Sequence, residues 1–391
     1  MKSSIGNHRI LALDVMRGIT ISGMILVNNP GSWSYIYAPL DHAKWNGLTP
    51  TDLVFPFFMF IMGISTYISL RKYQFTLNRH SLRKILKRTI GIYLIGLFIG
   101  WFARFCYYWN GNADSQLDFL SQLAAAAWSF PHIRLTGVLA RLAICYGLAS
   151  LIATTVNHRR IPYIIAALLI GYLAILYTGN GFNYGTDNII SIVDKAIIGS
   201  NHLYNDNGID PEGLLSTIPS LAHVLIGFCI GRKIFSGSNT STLSNRMQFL
   251  LLAGAVMTFT GFLLSYGCPI NKKIWSPTFV LATCGLGSTL LGLLIYAIDI
   301  CGYRRWTRFF DAFGVNPLFI FVMSDIIAIL LGSIPIGFAG KNISLHAYAC
   351  NEWFFPCFGN YGGSLAYALV FLALCWLIAY PLYKNKVYIK L

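Results

Sequence analysis

The sequence predicts an all-α polytopic membrane protein with about ten transmembrane helices, and two observations support this prediction. Hydrophobic residues fill 55% of the 391 positions, charged residues fill only 11%, and the mean hydropathy is +0.59. This composition is typical of membrane proteins and unlike that of a soluble domain. Apolar windows of about 20 residues, the length that crosses a bilayer as a helix, also recur along the chain with polar segments between them.

Ten such windows qualify as spans, and we expect them to form one transmembrane domain over residues 1–391. The predicted limits are 10–29, 51–70, 89–108, 136–156, 161–178, 217–235, 247–267, 277–299, 312–331 and 361–383. Asp14 and Arg17 interrupt the first window, which also lacks a small-residue cleavage motif. We therefore expect it to stay attached as a helix rather than to be removed as a signal peptide.

Lys and Arg residues concentrate in alternate loops. Twenty lie on the side that contains the segment 71–88 and both chain ends, whereas seven lie on the other side. Because cytoplasmic loops carry the excess of these residues, we expect both termini to be cytoplasmic. The predicted outer loops are 30–50, 109–135, 179–216, 268–276 and 332–360. The longest of them is rich in Gly, Asn and Asp and is expected to form a structured loop or a short helical cap.

The net charge of +15 follows from this topology, and no nucleic-acid-binding motif accompanies it. The acidic residues on the predicted outer side are Asp41, Asp114, Asp118, Asp187, Asp194, Asp206, Asp210, Glu212 and Glu352. Such a surface suits a cationic substrate; the alternative is that exposed loops simply need solvation. Most of the nine cysteines fall inside spans and imply no metal. Cys350 and Cys357 share an outer loop and could form a disulfide in an oxidising compartment.

A stretch with several polar side chains, LDHAKWNGLTPTDLVFPFFMF, leads into the second span. Its histidine, His42, is suited to proton transfer because an imidazole gains and loses a proton near neutral pH. Asn28 ends the first span and Asp52 begins the second, so the three side chains converge at one membrane level. The alternatives to a functional site are structural. His42 could be an ordinary loop histidine, and Asp52 with Thr49 could simply cap the second helix.

Ionisable residues within spans are functional-site hypotheses by default. Asp14 and Arg17 are one helical turn apart and can pair, either for function or to lock the first span to a neighbour. Arg141 in the fourth span has no acid within a helical turn. It must find a partner on another helix, or an anionic ligand such as a phosphate.

The ninth span contains the segment FGVNPLF, in which Gly314 and Pro317 interrupt the backbone hydrogen bonds of a helix. Irregular backbone at membrane depth is tolerated only against protein or a polar cavity. Asn316, Ser324 and Asp325 would line that cavity; a plain proline kink is the alternative.

Two further segments on the predicted outer side contain candidate site residues. DPEGLLSTIP indicates a helix start with Asp210 as N-cap, and the alternative is a role for Glu212 at a substrate entrance. INKKIWSPTF combines two cations with Trp275, which we predict to be an aromatic anchor at the membrane interface. Lys272 and Lys273 could instead meet an acid group on a substrate or cofactor.

Seven segments carry a resemblance to a known family. They are LDVMRG (13–18), ILVNNPGSW (25–33), HAKWNGLTPTDLVFPFFMFIMG (42–63), GVLARLAICY (137–146), DPEGLLST (210–217), NKKIWS (271–276) and GVNPLF (314–319). In this order they resemble the heparan-alpha-glucosaminide N-acetyltransferase family and its bacterial relatives over nearly the whole chain. The resemblance implies a membrane enzyme that takes acetyl from cytosolic acetyl-CoA and delivers it to the amine of a terminal glucosamine, as in heparan sulfate, on the opposite side.

The resemblance also implies partners and a location. We expect acetyl-CoA, an amino-sugar acceptor and the lipid bilayer as partners, with no metal cofactor and no nucleic acid, and the sequence leaves a homodimer open. In a bacterium the chain would lie in the inner membrane, with its outer face toward the periplasm or cell surface. The loop between Asn28 and His42 is a few residues longer than in the family, and the chain lacks the long N-terminal domain of the animal enzyme, so the natural acceptor stays open.

Roles for individual residues follow from the same resemblance. His42 matches the active-site histidine of the family, and Asn28 matches its helix-end asparagine. An amine attacks a thioester only when unprotonated, so we expect His42 to be the base, Asn28 a donor or positioning amide, and Asp52 the group that orients the imidazole. The cofactor-binding candidates are Arg17, Arg141 and Asn316. The substrate-binding candidates are Trp45, Asn46, Glu212 and Lys272.

The sequence leaves two mechanisms of acetyl transfer open, and two other functions stand as alternatives. The acetyl group could pass directly to the amine or through an acetyl-imidazole on His42; the direct route avoids exposing a hydrolysable intermediate to water. A transporter could carry an amino sugar or an anionic metabolite past Asp14, Arg17, Arg141 and the broken ninth span, although the spans show no inverted repeat. An O-acyltransferase of wall polysaccharide would use the same histidine with a hydroxyl acceptor.

Overall fold

The computed structural model describes residues 10–111, 118–128, 130–235, 242–338 and 341–389, and these form fourteen α-helices and one β-hairpin. The helices are α1 (Leu11–Asn28), α2 (Pro50–Arg71), α3 (Arg79–Gly111), α4 (Phe119–Ala127), α5 (Val138–Thr155), α6 (Ile161–Thr178), α7 (Ile189–Ile198), α8 (Thr217–Phe235), α9 (Leu243–Leu264), α10 (Pro277–Leu294), α11 (Thr307–Val315), α12 (Pro317–Ser333), α13 (Leu345–Ala349) and α14 (Phe355–Lys384). The hairpin pairs β1 (Pro335–Phe338) antiparallel with β2 (Lys341–Ser344). Asp114 lies outside the described residues.

The helices confirm the predicted all-α membrane class. In the described ranges nine helical segments are long and apolar enough to cross a bilayer, and α11 with α12 form a tenth candidate that is bent by 86°. Their positions follow the predicted windows, although α3 begins ten residues before its window, at Arg79. The chain is therefore an integral membrane protein. The side of the membrane assigned to the termini stays a prediction.

Helices α1, α2, α5, α8 and α10 are mostly buried. The last four, which we call the four-helix core, all begin at the same end of the bundle. Helices α2 and α8 cross closely, with Gly63 and Gly227 facing each other at the crossing. A Cβ atom on Gly63 would collide with the Val224 carbonyl, and one on Gly227 would collide with the Phe60 carbonyl. Small residues let membrane helices approach this closely. In contrast, α3, α6 and α9 expose most of their residues at the periphery, where lipid would contact them.

The two ends of the bundle differ in chemistry, and we name each after one residue. The His42 face comprises residues 29–49, 179–216 and 265–276, and the Arg304 face comprises residues 72–78, 156–160, 301–306 and 385–389. The insertion 179–216 on the His42 face contains α7, in agreement with the predicted helical cap. All four central helices therefore point their N-termini at the His42 face, which gives that face a partial positive charge.

The predicted interruption of the ninth span is present as a sharp break between α11 and α12. The two helices meet at 86° around Asn316, between Gly314 and Pro317. The Asn316 amide donates to the carbonyl of Val387 and accepts from the N–H of Ile389, both at 2.8 Å. The segment after α14 therefore satisfies this polar side chain, so the Asn316 amide faces protein rather than a polar cavity.

Two local predictions differ from the structure. Helix α8 begins at Thr217, so Asp210 is not its N-cap. Asp210 lies instead in a turn, where its carboxylate accepts the backbone N–H of Glu212 at 2.9 Å. The thiols of Cys350, which is buried, and Cys357, which is exposed, are both free in this structure and are not joined as a disulfide.

Candidate functional site

Asp52 lies in the first turn of α2 and organises the loop that precedes it. The helix begins with Thr49 as N-cap and Pro50 at its first position. Oδ2 of Asp52 accepts hydrogen bonds from the backbone N–H of Thr49 (3.2 Å), from its hydroxyl (3.0 Å) and from the N–H of Ala43 (3.1 Å). This is a capping box, so the predicted cap exists. It holds the Asp52 side chain, only 1% exposed, in one orientation.

The second oxygen of Asp52 binds His42. Oδ1 lies 2.7 Å from Nδ1 of the imidazole. Because a carboxylate can only accept, this contact favours the neutral tautomer with hydrogen on Nδ1 and a lone pair on Nε2. The His42 side chain is 40% exposed, so a substrate can reach Nε2. Helix capping and imidazole orientation, which the sequence leaves as alternatives, are therefore performed by one carboxylate.

Lys272 brings a positive charge to this carboxylate from the loop before α10. Its Nζ lies 3.4 Å from Oδ1 of Asp52 and 3.1 Å from Nδ1 of His42. Burial lowers the pKa of Lys272 from its usual value of 10.5, and the charge of Asp52 opposes that effect. The neighbouring Asn271 anchors the loop by donating from Nδ2 to Oδ1 of Asn46 at 3.1 Å. His42, Asp52 and Lys272 are the candidates for a catalytic cluster, and we refer to them by that name.

Trp45 and Tyr184, which lies in the insertion 179–216, form an aromatic wall beside the catalytic cluster. The rings of Trp45 and Tyr184 lie 4.7 Å apart between centroids. Lys273 lies 4.7 Å from the centre of the Tyr184 ring and forms an ion pair with Asp206 at 2.6 Å. The sequence predicts neither Tyr184 nor Asp206 as a site residue, because the insertion has no hydrophobic period that would place them.

Glu212 belongs to an ion cluster at the edge of the site. Arg134 donates from Nη2 to Oε2 of Glu212 at 2.7 Å and from Nε to Oδ2 of Asp210 at 3.2 Å. Burial alone would raise the pKa of Asp210, but the charge and hydrogen bonds of Arg134 lower it below its usual value. The carboxylate of Glu212 also acts through space on Lys272. Glu212 therefore lies near the catalytic cluster while it holds the loop in place.

The three cofactor-binding candidates do not form one site. Arg141 lies in the first turn of α5, beneath the His42 face, is 1% exposed, and donates from Nη2 to the carbonyl of Gly213 at 3.0 Å. Arg17 lies in the half of α1 that is nearer the Arg304 face and pairs with Asp14 at 3.0 Å. Asn316 lies near the same face, at the break between α11 and α12. Arg141 thus lies near the His42 face, whereas Arg17 and Asn316 lie near the Arg304 face.

Asn28 is exposed at the end of α1, and no hydrogen bond among the described residues joins it to His42 or Asp52.

Asp194 and Asp210 are buried, so solvation of exposed loops does not explain them. Within the described ranges no group of three His, Cys, Asp or Glu residues is placed to hold a metal ion.

Two buried residues beneath the cluster differ from what the sequence predicts. Trp275 is 1% exposed, so the prediction of an interfacial anchor is wrong. Its backbone has a φ of +52°, and its ring packs against Phe55 and Phe279 at 5.4 and 5.0 Å between centroids. His223, in α8, is fully buried. In the sequence, the signal for His223 is a histidine inside an apolar window. No local sequence feature predicts that the Trp275 side chain points into the core.

Comparison with known proteins identifies the family. A family model described as "Heparan-alpha-glucosaminide N-acetyltransferase, catalytic" matches residues 9–266, a range that contains His42 and Asp52 but not Lys272. The chain is similar to heparan-alpha-glucosaminide N-acetyltransferase of Mus musculus, with 26% identity over 447 residues covering 98% of this chain and 61% of the mouse protein. The same-named protein of Homo sapiens is 25% identical over 441 residues, which cover 98% of this chain and 60% of the human one. The chain thus spans about three fifths of the length of these relatives. The chain belongs to the heparan-alpha-glucosaminide N-acetyltransferase family.

Proposed function

We propose that the protein is a transmembrane N-acetyltransferase that transfers acetyl from acetyl-CoA to the amine of a glucosamine-type sugar. The observation that carries the proposal is the 2.7 Å contact between Nδ1 of His42 and Oδ1 of Asp52, which leaves Nε2 as an accessible base. The family supports the same reaction class, because its mouse and human members are named for N-acetyl transfer to heparan-alpha-glucosaminide.

His42 acts as the general base in this reaction. An amine attacks a carbonyl carbon through its lone pair, so a proton must leave the nitrogen. Nε2 of His42 accepts that proton, and the carboxylate of Asp52 stabilises the imidazolium that results. As the C–N bond forms, the C–S bond of the thioester breaks, and the imidazolium returns the proton to the leaving CoA thiolate. A positioned base typically contributes about 10²- to 10⁴-fold to the rate. Asn28 serves as a donor or positioning amide, a role taken from its match to the family motif.

Lys272 balances the charge of the catalytic cluster. Asp52 is almost completely buried, and a buried carboxylate is costly unless a cation and hydrogen bonds compensate it. With His42 neutral, the ammonium of Lys272 supplies that compensation at 3.4 Å. Asp52 can therefore stay ionised, and its Oδ1 stays an acceptor for the imidazole.

Acetyl-CoA, when bound, supplies the acetyl group in activated form as a thioester. Its phosphates fit the Arg304 face, because cations recognise phosphate by charge-assisted hydrogen bonds. The exposed cations at or next to that face include Arg71, Lys72, Arg159, Arg160, Arg304, Arg305 and Arg308. Arg17, just inside the same face, is the next contact for the cosubstrate, and Arg141 is the contact nearest the catalytic cluster. The amide of Asn316 is already hydrogen-bonded to the segment after α14.

The acceptor sugar lies at the His42 face, between the catalytic cluster and the aromatic wall. Trp45 and Asn46 border this position, with Lys272 and Glu212 at its edge. We assign the His42 face to the periplasm and the protein to a bacterial inner membrane. The assignment is supported by the 20 Lys and Arg residues predicted on the Arg304 side against seven on the His42 side.

Transport is the competing function from another class, and the 86° break between α11 and α12 is the feature that favours it. The break is closed, however, by the hydrogen bonds of Asn316 to the chain after α14. An O-acyltransferase remains the alternative within enzymes, because His42 would equally activate a hydroxyl group.

Identification of the product tests the proposal. Purified protein in liposomes is incubated with acetyl-CoA and glucosamine, and the products are analysed by mass spectrometry before and after mild alkaline treatment. An alkali-stable N-acetyl product is expected. An alkali-labile ester would assign the O-acyltransferase instead, and movement of sugar without consumption of acetyl-CoA would assign transport.

A further inference from the structure

Three buried polar side chains lie directly beneath the catalytic cluster, at the centre of the four-helix core. They are Arg141 on α5, His223 on α8 and Trp275 just before α10, and each is at most 1% exposed. Cζ of Arg141 lies 5.1 Å from the centre of the Trp275 ring, and the His223 ring lies 5.9 Å from it between centroids. We call these three residues the buried donor cluster.

Three of the nitrogen atoms in the buried donor cluster lack a hydrogen-bond partner among the described residues. They are Nε and Nη1 of Arg141 and Nε1 of Trp275. Burying such a group without a partner is unfavourable. Guanidinium and indole nitrogens only donate, so all three atoms are free to donate a hydrogen. The cluster is therefore suited to an acceptor oxygen.

Backbone strain marks the same place. Trp275 holds a φ of +52°, in the left-handed region that bulky residues seldom adopt. Its N–H donates to the carbonyl of Lys272 at 3.0 Å, so the turn that strains Trp275 also carries the ammonium of the catalytic cluster. Strain of this kind persists where the surroundings demand it, often at ligand sites.

The buried donor cluster lies about one to two helical turns below the His42 face. Phe55, whose ring packs on Trp275, lies one helical turn deeper than Asp52. His223 is the seventh residue of α8, about 9 Å along the helix from its start at the His42 face. A chain-like ligand that enters from the Arg304 face and ends at His42 must pass this layer of the core.

A neutral acceptor fits the buried donor cluster. The carboxylates of Glu212 and Asp210 act through space on the guanidinium of Arg141, and both also pair with Arg134. A carbonyl oxygen accepts hydrogen bonds without adding charge to the buried core.

We propose that the buried donor cluster binds a carbonyl oxygen of the acylated pantetheine arm, either that of the thioester or that of an amide. The inference rests on the proposed function, because only an acyl-CoA substrate brings such an arm through the core. It makes Arg141, His223 and Trp275 positioning residues for the cosubstrate rather than participants in proton transfer.

Binding of two ligands to the full-length protein tests the inference. Affinities for acetyl-CoA and for S-ethyl-CoA, a thioether without the thioester carbonyl, are measured by isothermal titration calorimetry on purified protein. The variants are Trp275→Phe, which removes the indole N–H and keeps a ring, and Arg141→Lys, which keeps the charge and removes Nε. The matched control is Trp376→Phe on α14, where another buried indole N–H is unpaired away from the core path.

The expected result is a loss of affinity of about tenfold in both cluster variants and none in Trp376→Phe. A loss confined to acetyl-CoA assigns the thioester carbonyl, and an equal loss for both ligands assigns an amide carbonyl. Unchanged affinities in the cluster variants, with unfolding temperatures close to that of the natural protein, would overturn the inference and leave the cluster as a binding place for water. If the natural protein binds neither ligand, the proposed function itself is wrong.

Discussion

Oδ1 of Asp52 lies 2.7 Å from Nδ1 of His42, and the same carboxylate caps the helix that follows. The two roles use different oxygens, since Oδ2 accepts from Thr49 and Ala43. The orientation of the imidazole is thus tied to the start of α2. A catalytic group that is held by a rigid helix end needs little reorganisation during the reaction.

Replacement of Asp52 by Asn should lower kcat by at least about a hundredfold. The donors of Thr49 and Ala43 require an acceptor at the position of Oδ2, so the amide introduced by Asp52→Asn would direct its NH₂ toward His42 and select the tautomer with hydrogen on Nε2. Steady-state kinetics with acetyl-CoA and glucosamine provide the measurement. Asp118→Asn is the control, because Asp118 caps α4 away from the site and its variant should keep kcat. Normal kcat in Asp52→Asn would refute the assigned role.

Replacement of Lys272 by Met should destabilise the protein by roughly 3 kcal/mol, because the buried Asp52 then loses its cation. The unfolding temperature in detergent, measured with kcat, checks this expectation. Lys273→Met serves as the comparison: Lys273 pairs with the partly exposed Asp206, so its loss should cost less. Equal stability of the two variants would show that Lys272 does not compensate the Asp52 charge.

The buried Asp194 should make stability depend on pH in mildly acidic solution. Burial raises the pKa of this carboxyl from 3.8 to about 6, so the folded state retains a proton that the unfolded state loses. The contribution of Asp194 to the free energy of unfolding should therefore be greatest below about pH 4 and should fall by roughly 3 kcal/mol as the pH rises through about 6.

Unfolding temperatures between pH 4 and 7 test this expectation with the variant Asp194→Asn, in which this contribution to the slope should disappear. Asp187→Asn, at an exposed position in the same insertion, should keep it. A slope that is identical in Asp194→Asn and in the natural protein would contradict the assignment.

Replacement of Gly63 by Ala should destabilise the core by about 1–3 kcal/mol, because the added methyl group meets the backbone of α8. Gly100→Ala is the matched control: no atom lies within 4 Å of a Cβ at that position, and alanine favours a helix there. Thermal unfolding of both variants gives the comparison. A Gly63→Ala protein as stable as Gly100→Ala would mean that α2 and α8 cross less closely.

Much of this arrangement follows from local sequence. Hydropathy places the spans because a helix must satisfy its backbone within the bilayer. His42 and Asp52 can be predicted together because they flank one helix start, only ten positions apart.

Contacts between distant segments could not be predicted in the same way. Lys272 reaches His42 from 230 positions away, and nothing in its local pattern indicates that partner. Trp275 resembles an interfacial anchor until the strained turn directs it into the core. Asp210 has the signature of a helix cap, yet Arg134 and Thr136 bind its carboxylate and the helix starts seven residues later. Contacts with residues distant in the sequence determine where Lys272, Trp275 and Asp210 lie.

Release of free CoA thiol from acetyl-CoA, with and without glucosamine, tests the central claim most directly. Three purified proteins are compared: the natural sequence, His42→Ala, and His132→Ala, which removes an exposed histidine from another loop on the same side. We expect glucosamine-dependent release in the natural protein and in His132→Ala, and loss of at least about a hundredfold in His42→Ala. Undiminished release by His42→Ala would contradict the assignment of His42 as the base.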